Sequence, residues 1–249
     1  MLESPPSFIV RQECEKAASQ NGFRRALGEE AGWAAFGSTT AEGKVHLGAA
    51  GGQGPWFLAL DHAGVIAELD LPAADMPGPG RVRLAFESLG ALYGTLRRVY
   101  ELTISLPDAP LRAFETQVAD LPRTTEVERL VIQRIGQDIF RAGLMDYWQS
   151  CCPLTGISDP ALLRASHIIP WADCESDAER LDVHNGLLLS ALWDAAFDRA
   201  LVTFDDEGRP EFSPGLSEYA RAELRWRSPI SLTDEHRRRL ARHRSRLPR

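Results

Sequence analysis

Three residues in the second half of the chain have the types and the spacing to hydrolyse a phosphodiester bond. His167 ends an apolar run, and a histidine near its ordinary pKa of about 6.5 can take a proton from water at neutral pH. Asp194 and Asp198 are four residues apart in an apparent helix, so both carboxylates project from one face and can reach one cation. We therefore expect His167 to act as a general base beside a metal that the two aspartates hold.

Further polar residues surround these three. Asn185 precedes a second apolar strand; its amide can orient the imidazole of His167 through the backbone or reach the metal directly, and both roles stay open. Carboxylate ligands favour a hard ion, so the expected cofactor is one Mg2+ or Mn2+ in preference to Zn2+. Arg164 and Arg180 flank the site and are the candidates for holding phosphate oxygens. Asn185 is thus a second catalytic candidate, and the two arginines are substrate-binding candidates.

A structural zinc site is the alternative metal hypothesis. Its ligands would be Cys151, Cys152, Cys174 and His184. A zinc knuckle needs paired CxxC motifs, whereas the position that would complete the first pair is Thr155 and no second pair follows. We therefore expect buried packing for Cys152, an exposed loop position for His184, and no structural zinc.

The elements that must position these residues follow one another as strand, long loop, strand and short helix. Their sequences are LLRASHII, WADCESDAERLDVH, GLLLS and ALWDAAFDRA. A long helix capped by Thr124 or Thr125 is predicted before them; its expected apolar face comprises Val127, Leu130, Val131, Ile135, Ile139, Leu144 and Trp148. A hairpin about DDEG and a basic helix beginning near Thr233 and Asp234 are predicted after them.

The first half of the chain predicts a small β-rich domain. Apolar runs in GWAAFGSTT, KVHLGAA, PWFLALDH and VIAEL indicate strands, and LAFESLGALYGTLRRVYELTISL indicates a helix laid on their sheet. Trp33, Trp56 and Phe57 are expected in the core, with stacking on a displaced base as the alternative. The segment SLPDAPLRAFETQVADLPRTTEV carries three prolines and lies between two helical patterns, so it is the best candidate for the boundary. The predicted fold class is α+β, with a target-recognition or partner module over 1–120 and a catalytic domain over 121–249.

Composition limits the remaining possibilities. The chain has 249 residues and a formal net charge of -7, yet its last thirty or so residues are rich in arginine, so local binding of a polyanion stays possible. The four cysteines show no regular spacing, which indicates a reducing compartment and no disulfide scaffold. No apolar run approaches the roughly 20 residues that span a bilayer. We expect a soluble cytoplasmic protein with no membrane partner.

The run from IGQDIFRAGLMDYWQSCCPLTG to LVTFDDEG, roughly Val127 to Ser213, resembles the bacterial HNH endonuclease family associated with restriction systems. The resemblance implies a ββα-metal nuclease domain that cuts DNA with a divalent cation. It also implies that the N-terminal module selects the target, because an HNH site recognises the shape and the phosphates of DNA and does not recognise its base sequence.

The resemblance also assigns roles to single residues. His167 corresponds to the catalytic base, Asn185 to the middle asparagine, and Asp194 to the final metal-binding position. Asp198 falls where some relatives carry an additional ligand. Ser166 departs from the pattern, because related ββα-metal sites frequently carry an acidic or imidazole ligand directly before the base.

The resulting hypothesis is a metal-dependent DNA endonuclease of restriction or defence against foreign or modified DNA. The alternative is a catalytically impaired HNH-fold protein that binds DNA or forms a complex, for which Ser166 is the best support. An unspecific toxin nuclease is a third possibility, which a delivery segment would favour. A homodimer is expected as well, because double-strand cleavage by a single-site enzyme often requires two subunits.

Overall fold

The computed structural model describes residues 2–122 and 124–247 of the chain. Helices and strands occur together, in two compact units that divide between Ile104 and Ser105. In the described residues, no helix is long and apolar enough to cross a membrane.

The first unit contains an antiparallel sheet whose strands lie in chain order. The strands are β1 (Arg25–Glu30), β2 (Trp33–Gly37), β3 (Lys44–Ala49), β4 (Trp56–Leu60) and β5 (Val82–Phe86). Its helices are α1 (Phe8–Gln20), α2 (Ala63–Leu69) and α3 (Leu89–Ser105). Trp33, Trp56 and Phe57 are buried, as expected for core residues.

Two predictions for this unit are wrong. The run VIAEL was expected to be a strand but lies in α2, where the His62 side chain accepts a hydrogen bond from the Val65 amide and so caps the helix. Leu84 was expected in the following helix but belongs to β5, because its segment pairs with β4 through Leu58. In addition, the apolar-run criterion gave no indication of β1, because every residue of that strand is exposed.

The second unit begins with α4 (Ala109–Val118) and the long helix α5 (Glu126–Tyr147). The Thr125 cap of α5 is confirmed, with Glu128 completing a capping box. Because α4 packs against α5, the structural division falls before α4, earlier than the boundary expected after residue 120.

The buried face of α5 differs from the predicted one. Gly136, Phe140, Gly143, Leu144 and Tyr147 are buried, whereas the predicted face members Val127, Leu130 and Val131 are exposed. The first turns of α5 therefore extend beyond the core. The apolar residues there have helical spacing, but their side chains are not buried.

The predicted strand, loop, strand and helix follow α5. They are β6 (Leu163–His167), a loop containing α6 (Asp177–Leu181), β7 (Gly186–Ser190) and α7 (Ala191–Asp198). The two strands pair antiparallel, with Ser166 opposite Leu187 and His167 opposite Gly186. The predicted hairpin is formed by β8 (Val202–Phe204) and β9 (Pro210–Phe212). After α8 (Glu218–Glu223), α9 (Asp234–Arg244) begins behind the predicted cap Thr233.

Candidate functional site

The strand β6 and the helix α7 meet at a hydrogen bond between Ser166 and Asp194. The Ser166 hydroxyl donates to Oδ1 of Asp194 over 2.5 Å, and Ser166 itself is only 2% exposed. Because successive side chains of a strand point to opposite faces, this contact directs Ser166 toward α7. The bond fixes one carboxylate of the predicted metal pair against the strand that carries His167.

The second carboxylate of that pair lies on the same helix. Burial and the neighbouring Asp194 carboxylate raise the pKa of Asp198, while Arg199 and Arg246 act in the opposite direction. Asp194 and Asp198 are four residues apart on α7, so both side chains lie on one face of that helix; their role as metal ligands stays a prediction. The two carboxylates and the Ser166 hydroxyl form a group of oxygen donors.

This donor group fits a small, hard divalent cation. Mg2+ commonly keeps several waters and takes only one or two protein carboxylates together with substrate phosphates, and Asp194 and Asp198 supply two. In the described parts of the chain, no group of three or more His, Cys, Asp or Glu side chains is placed to hold a metal. A cation held there by Asp194 and Asp198 would need water and substrate to complete its coordination.

The imidazole of His167 is fixed by three neighbours. Its ring stacks on Phe140 with 3.8 Å between centroids, and Trp171 meets it edge-on at 5.6 Å. Its Nε2 lies 2.9 Å from the carbonyl oxygen of Arg180. A carbonyl oxygen can only accept, so Nε2 carries the proton, and Nδ1 of the neutral ring keeps its lone pair. Burial lowers the pKa of His167, although the bond to Arg180 works in the opposite direction.

The structure does not join His167 directly to the carboxylate pair. His167 follows Ser166 along β6, but its side chain contacts α5 and the loop instead of α7. In the residues that the structure describes, no hydrogen bond or ion pair links its ring to Asp194 or Asp198. The base candidate thus lies on β6 with its side chain turned toward α5 and the loop, and the metal candidates lie on α7 with their side chains separated from it.

Asn185 is a positioning residue for the loop between the two strands. It is fully buried. Its Oδ1 accepts from the Ile169 amide over 2.9 Å, and its Nδ2 donates to the carbonyl oxygens of Ile169 and Glu179, each over 3.2 Å, and to Sγ of Cys174. Of the two roles left open by the sequence, these contacts fit the orientation of the backbone beside His167.

The two predicted phosphate-binding arginines hold local backbone. The Arg180 guanidinium donates to the carbonyl oxygens of Trp171 and Cys174 and to the Asp177 carboxylate. The Arg164 guanidinium donates to the carbonyl oxygens of Ala161 and Leu163, and its residue is exposed. Arg180 is thus engaged within the loop, whereas Arg164 keeps an exposed side chain near β6.

The four candidate zinc ligands each contact their own local neighbours. All four cysteines are free, and the Cys174 thiol donates to backbone carbonyls. The expected exposed position of His184 is wrong: it is 8% exposed, because its Nδ1 lies 2.9 Å from the Asp182 carboxylate and its ring contacts Tyr147 and His236. The burial of Cys152 is confirmed.

Phe140 supports the imidazole of His167 and is not among the residues predicted from the sequence. A Cβ atom at Gly186 would lie 2.5 Å from the Phe140 ring, so the glycine after Asn185 allows this ring to approach the two strands. The spacing of Gly136, Phe140 and Gly143 along α5 could have indicated that this face packs closely against other elements. The longer apolar pattern of the same helix indicated a different face.

The first unit contains a separate cleft of about 960 Å³. Trp33, Phe57 and His46 line it, together with the acidic side chains of Glu30 and Asp75. Burial and then Lys44 lower the pKa of His46. The lining thus combines carboxylates with aromatic side chains that are almost fully buried.

Residues 152–205 match a protein-family model described as HNH endonuclease. The matched segment contains β6, β7 and α7 with all the predicted catalytic and metal-binding residues. No curated protein matches the chain. The match supports an HNH endonuclease domain in this part of the second unit, and such a domain implies a nuclease acting on DNA.

Proposed function

We propose that this chain, with its HNH endonuclease domain over residues 152–205, hydrolyses phosphodiester bonds in DNA in a metal-dependent reaction. The observation that carries the proposal is the Ser166–Asp194 hydrogen bond, which holds one carboxylate of the predicted pair against the strand that ends at His167. Strand and helix thereby bring the expected residue types to one region of the domain.

His167 acts in this proposal as the general base. With Nε2 donating to the Arg180 carbonyl, Nδ1 is the nitrogen that accepts a proton from the attacking water. A pKa lowered by burial keeps the ring neutral at pH 7, and only a neutral ring can accept that proton. Asn185 maintains the loop that supplies this carbonyl.

Asp194 and Asp198 would hold one divalent cation, Mg2+ or Mn2+. When bound, such an ion stabilises negative charge on the phosphate and on the leaving oxygen. The attacking water and the scissile phosphate would have to reach both the carboxylates on α7 and the imidazole of His167, whose side chains are separated in this structure.

Nicking of supercoiled plasmid tests this function. We expect cleavage with Mg2+ or Mn2+ that a chelator stops, and a loss of about 10²- to 10⁴-fold in rate for His167→Ala, because one general base contributes about that much. The matched control is His62→Asn, which replaces a histidine in the first unit by another capping residue. Circular dichroism confirms that each variant is folded.

A different outcome would favour a second function. Ser166 stands where related sites carry a metal ligand, and its hydroxyl is directed at Asp194. If no DNA is cut with either cation while the protein binds DNA, the chain is a DNA-binding protein with an impaired HNH site.

We further propose that the chain acts in restriction of foreign or modified DNA and that the first unit selects the target. The cleft of that unit supports this role, because its volume of about 960 Å³ and its hydrogen-bonding side chains suit recognition of a small group. Digestion of matched unmodified, methylated and hydroxymethylated DNA checks the proposal. We expect one modification state to be cut preferentially, and equal cutting of all three would contradict selection by modification.

A further inference from the structure

We propose that Arg199 and Arg246 together bind a phosphate of the DNA strand beside the carboxylate pair. We call these two residues the arginine pair. This inference rests on the proposed nuclease function and adds a phosphate-binding site to it. Neither residue belongs to the predicted substrate-binding set, Arg164 and Arg180.

Arg199 lies at the C-terminal end of α7. It directly follows Asp198, the last residue of α7, and its Nη1 donates to the Ala195 carbonyl over 3.3 Å. The residue is exposed. Its guanidinium therefore lies at the surface, one residue from a predicted metal ligand.

Arg246 reaches the same helix end from a distant part of the chain. It lies in the turn after α9, where its amide donates to the His243 carbonyl over 3.0 Å. Its Nη2 donates to the Asp198 carbonyl oxygen over 3.4 Å. Both guanidinium groups thus donate to carbonyl oxygens of the last turn of α7, where the helix dipole favours cations.

The packing of the His243 side chain fixes the position of the chain segment that carries Arg246. Its ring stacks on Phe197 with 3.9 Å between centroids and 8° between planes. Its Nε2 lies 3.1 Å from the Phe197 carbonyl oxygen and its Nδ1 lies 3.0 Å from the Thr203 hydroxyl. This buried contact joins α9 to α7 and β8. The packing of these elements therefore holds Arg246 beside Asp198.

The arginine pair differs from four of the arginines of α9. Arg237, Arg238, Arg239 and Arg244 each form an ion pair with a nearby carboxylate. Across residues 2–122 and 124–247, neither Arg199 nor Arg246 has a carboxylate within ion-pairing distance, although both lower the pKa of Asp198. Each contacts only one carbonyl oxygen at 3.3 or 3.4 Å.

This arrangement leaves guanidinium donors for an incoming anion. An arginine presents five N–H groups in a planar fork that matches phosphate oxygens. Two such groups beside a carboxylate pair can attract a phosphodiester toward a region that would otherwise repel it. The site therefore draws the DNA backbone to the carboxylates and fixes its position there.

The test measures DNA binding as a function of salt, with a fluorescein-labelled duplex of mixed sequence. The full chain carrying His167→Ala is used with Mg2+, so that DNA stays uncut. Arg199→Gln and Arg246→Gln are then each added. We expect roughly tenfold weaker binding for each, and the slope of log K against log salt to become shallower by about 0.9 for each phosphate that the variant no longer neutralises.

The matched control is Arg238→Gln, which removes the same charge from α9 at a residue already paired with Glu235. We expect its slope to equal that of the parent. Arg199→Lys and Arg246→Lys should restore the slope while binding more weakly than arginine, because lysine keeps the charge without the fork. Thermal melting of every variant shows that it is folded.

Unchanged slopes for Arg199→Gln and Arg246→Gln would overturn the arginine pair, as would a slope change of the same size for Arg238→Gln or the lack of any DNA binding by the parent. Because cleavage is not measured, failure here is separate from failure of the nuclease proposal. A wild-type protein that never cuts DNA but shows the predicted slopes would contradict the nuclease proposal and keep the phosphate site.

Discussion

At the scale of single residues, the residues of the HNH motif have different surroundings in the fold. Asn185 is enclosed by backbone groups of its loop, whereas His167 is held by one carbonyl and two aromatic rings. The spacing in the sequence predicted which residue types gather in this region. It could not predict which atoms each would contact, because those partners come from α5 and from the loop between the strands.

The titration of His167 predicts how activity depends on pH. Burial lowers its pKa below the ordinary histidine value, and the base works only when neutral. Nicking should therefore be constant near pH 7 and fall only as the pH drops through this lowered pKa. A pH profile of the single-turnover rate checks this, and a rate already falling between pH 8 and 7 would contradict the assignment.

Removing the Asn185 side chain should loosen the loop and reduce activity. Asn185→Ala leaves the Ile169 amide and the facing carbonyls without partners in a buried place, at a cost of about 1–3 kcal/mol in the free energy of unfolding. Urea denaturation and plasmid nicking measure the two effects. Asn21→Ala is the control, since Asn21 is also buried but lies in the first unit; it should leave nicking unchanged.

At the scale of helices and strands, the sequence correctly predicted the features that a few adjacent residues determine. Thr125 and Thr233 cap their helices and the DDEG segment forms its hairpin turn, because caps and turns depend on a few adjacent residues. The segment VIAEL was misassigned because a short apolar run suits either a strand or a helix. The buried face of α5 depends on which elements pack against it, and periodicity alone does not supply that information.

The contact between α9 and α7 predicts an acid-sensitive part of the fold. Burial lowers the pKa of His243 to about 4, with the Phe197 carbonyl opposing and Arg246 adding to the shift. The unfolded chain binds this proton first as the pH falls, so stability is full above the ordinary histidine pKa of about 6.5 and declines from there until the pH reaches about 4.

The variant His243→Gln isolates this titration. Its amide can keep one hydrogen bond but takes up no proton, so the decrease in unfolding free energy between pH 7 and pH 5 should be smaller than in the wild type by about 2 kcal/mol. Urea titrations at both pH values measure the difference. Equal decreases in both proteins would show that His243 is not the titrating group.

At the scale of the whole molecule, net charge is a poor guide to DNA binding. The chain carries -7 overall, and much of the arginine-rich C-terminal segment is neutralised by carboxylates such as Asp182, Glu235 and Asp206. The sequence shows the excess of arginine but not this pairing, because several partners lie far away along the chain. Arginine side chains without a carboxylate partner can therefore be identified from the contacts in the structure but not from the composition of the sequence.

The expected homodimer is also a property of the whole molecule. A single HNH site cuts one strand, so two subunits would be needed for a double-strand break. Light scattering of the protein with and without duplex DNA measures the mass directly. We expect a mass of two chains on DNA, and a single chain under both conditions would contradict the dimer.

The most direct test of the nuclease proposal is the chemistry of the DNA ends. Hydrolysis with a departing 3′ oxygen leaves a 5′-phosphate and a 3′-hydroxyl, so a DNA ligase should reseal nicks made by the wild type with Mg2+ or Mn2+. His167→Ala should make almost no nicks under the same conditions. Nicks that ligase cannot reseal, or nicking by His167→Ala at the wild-type rate, would contradict hydrolysis at this site.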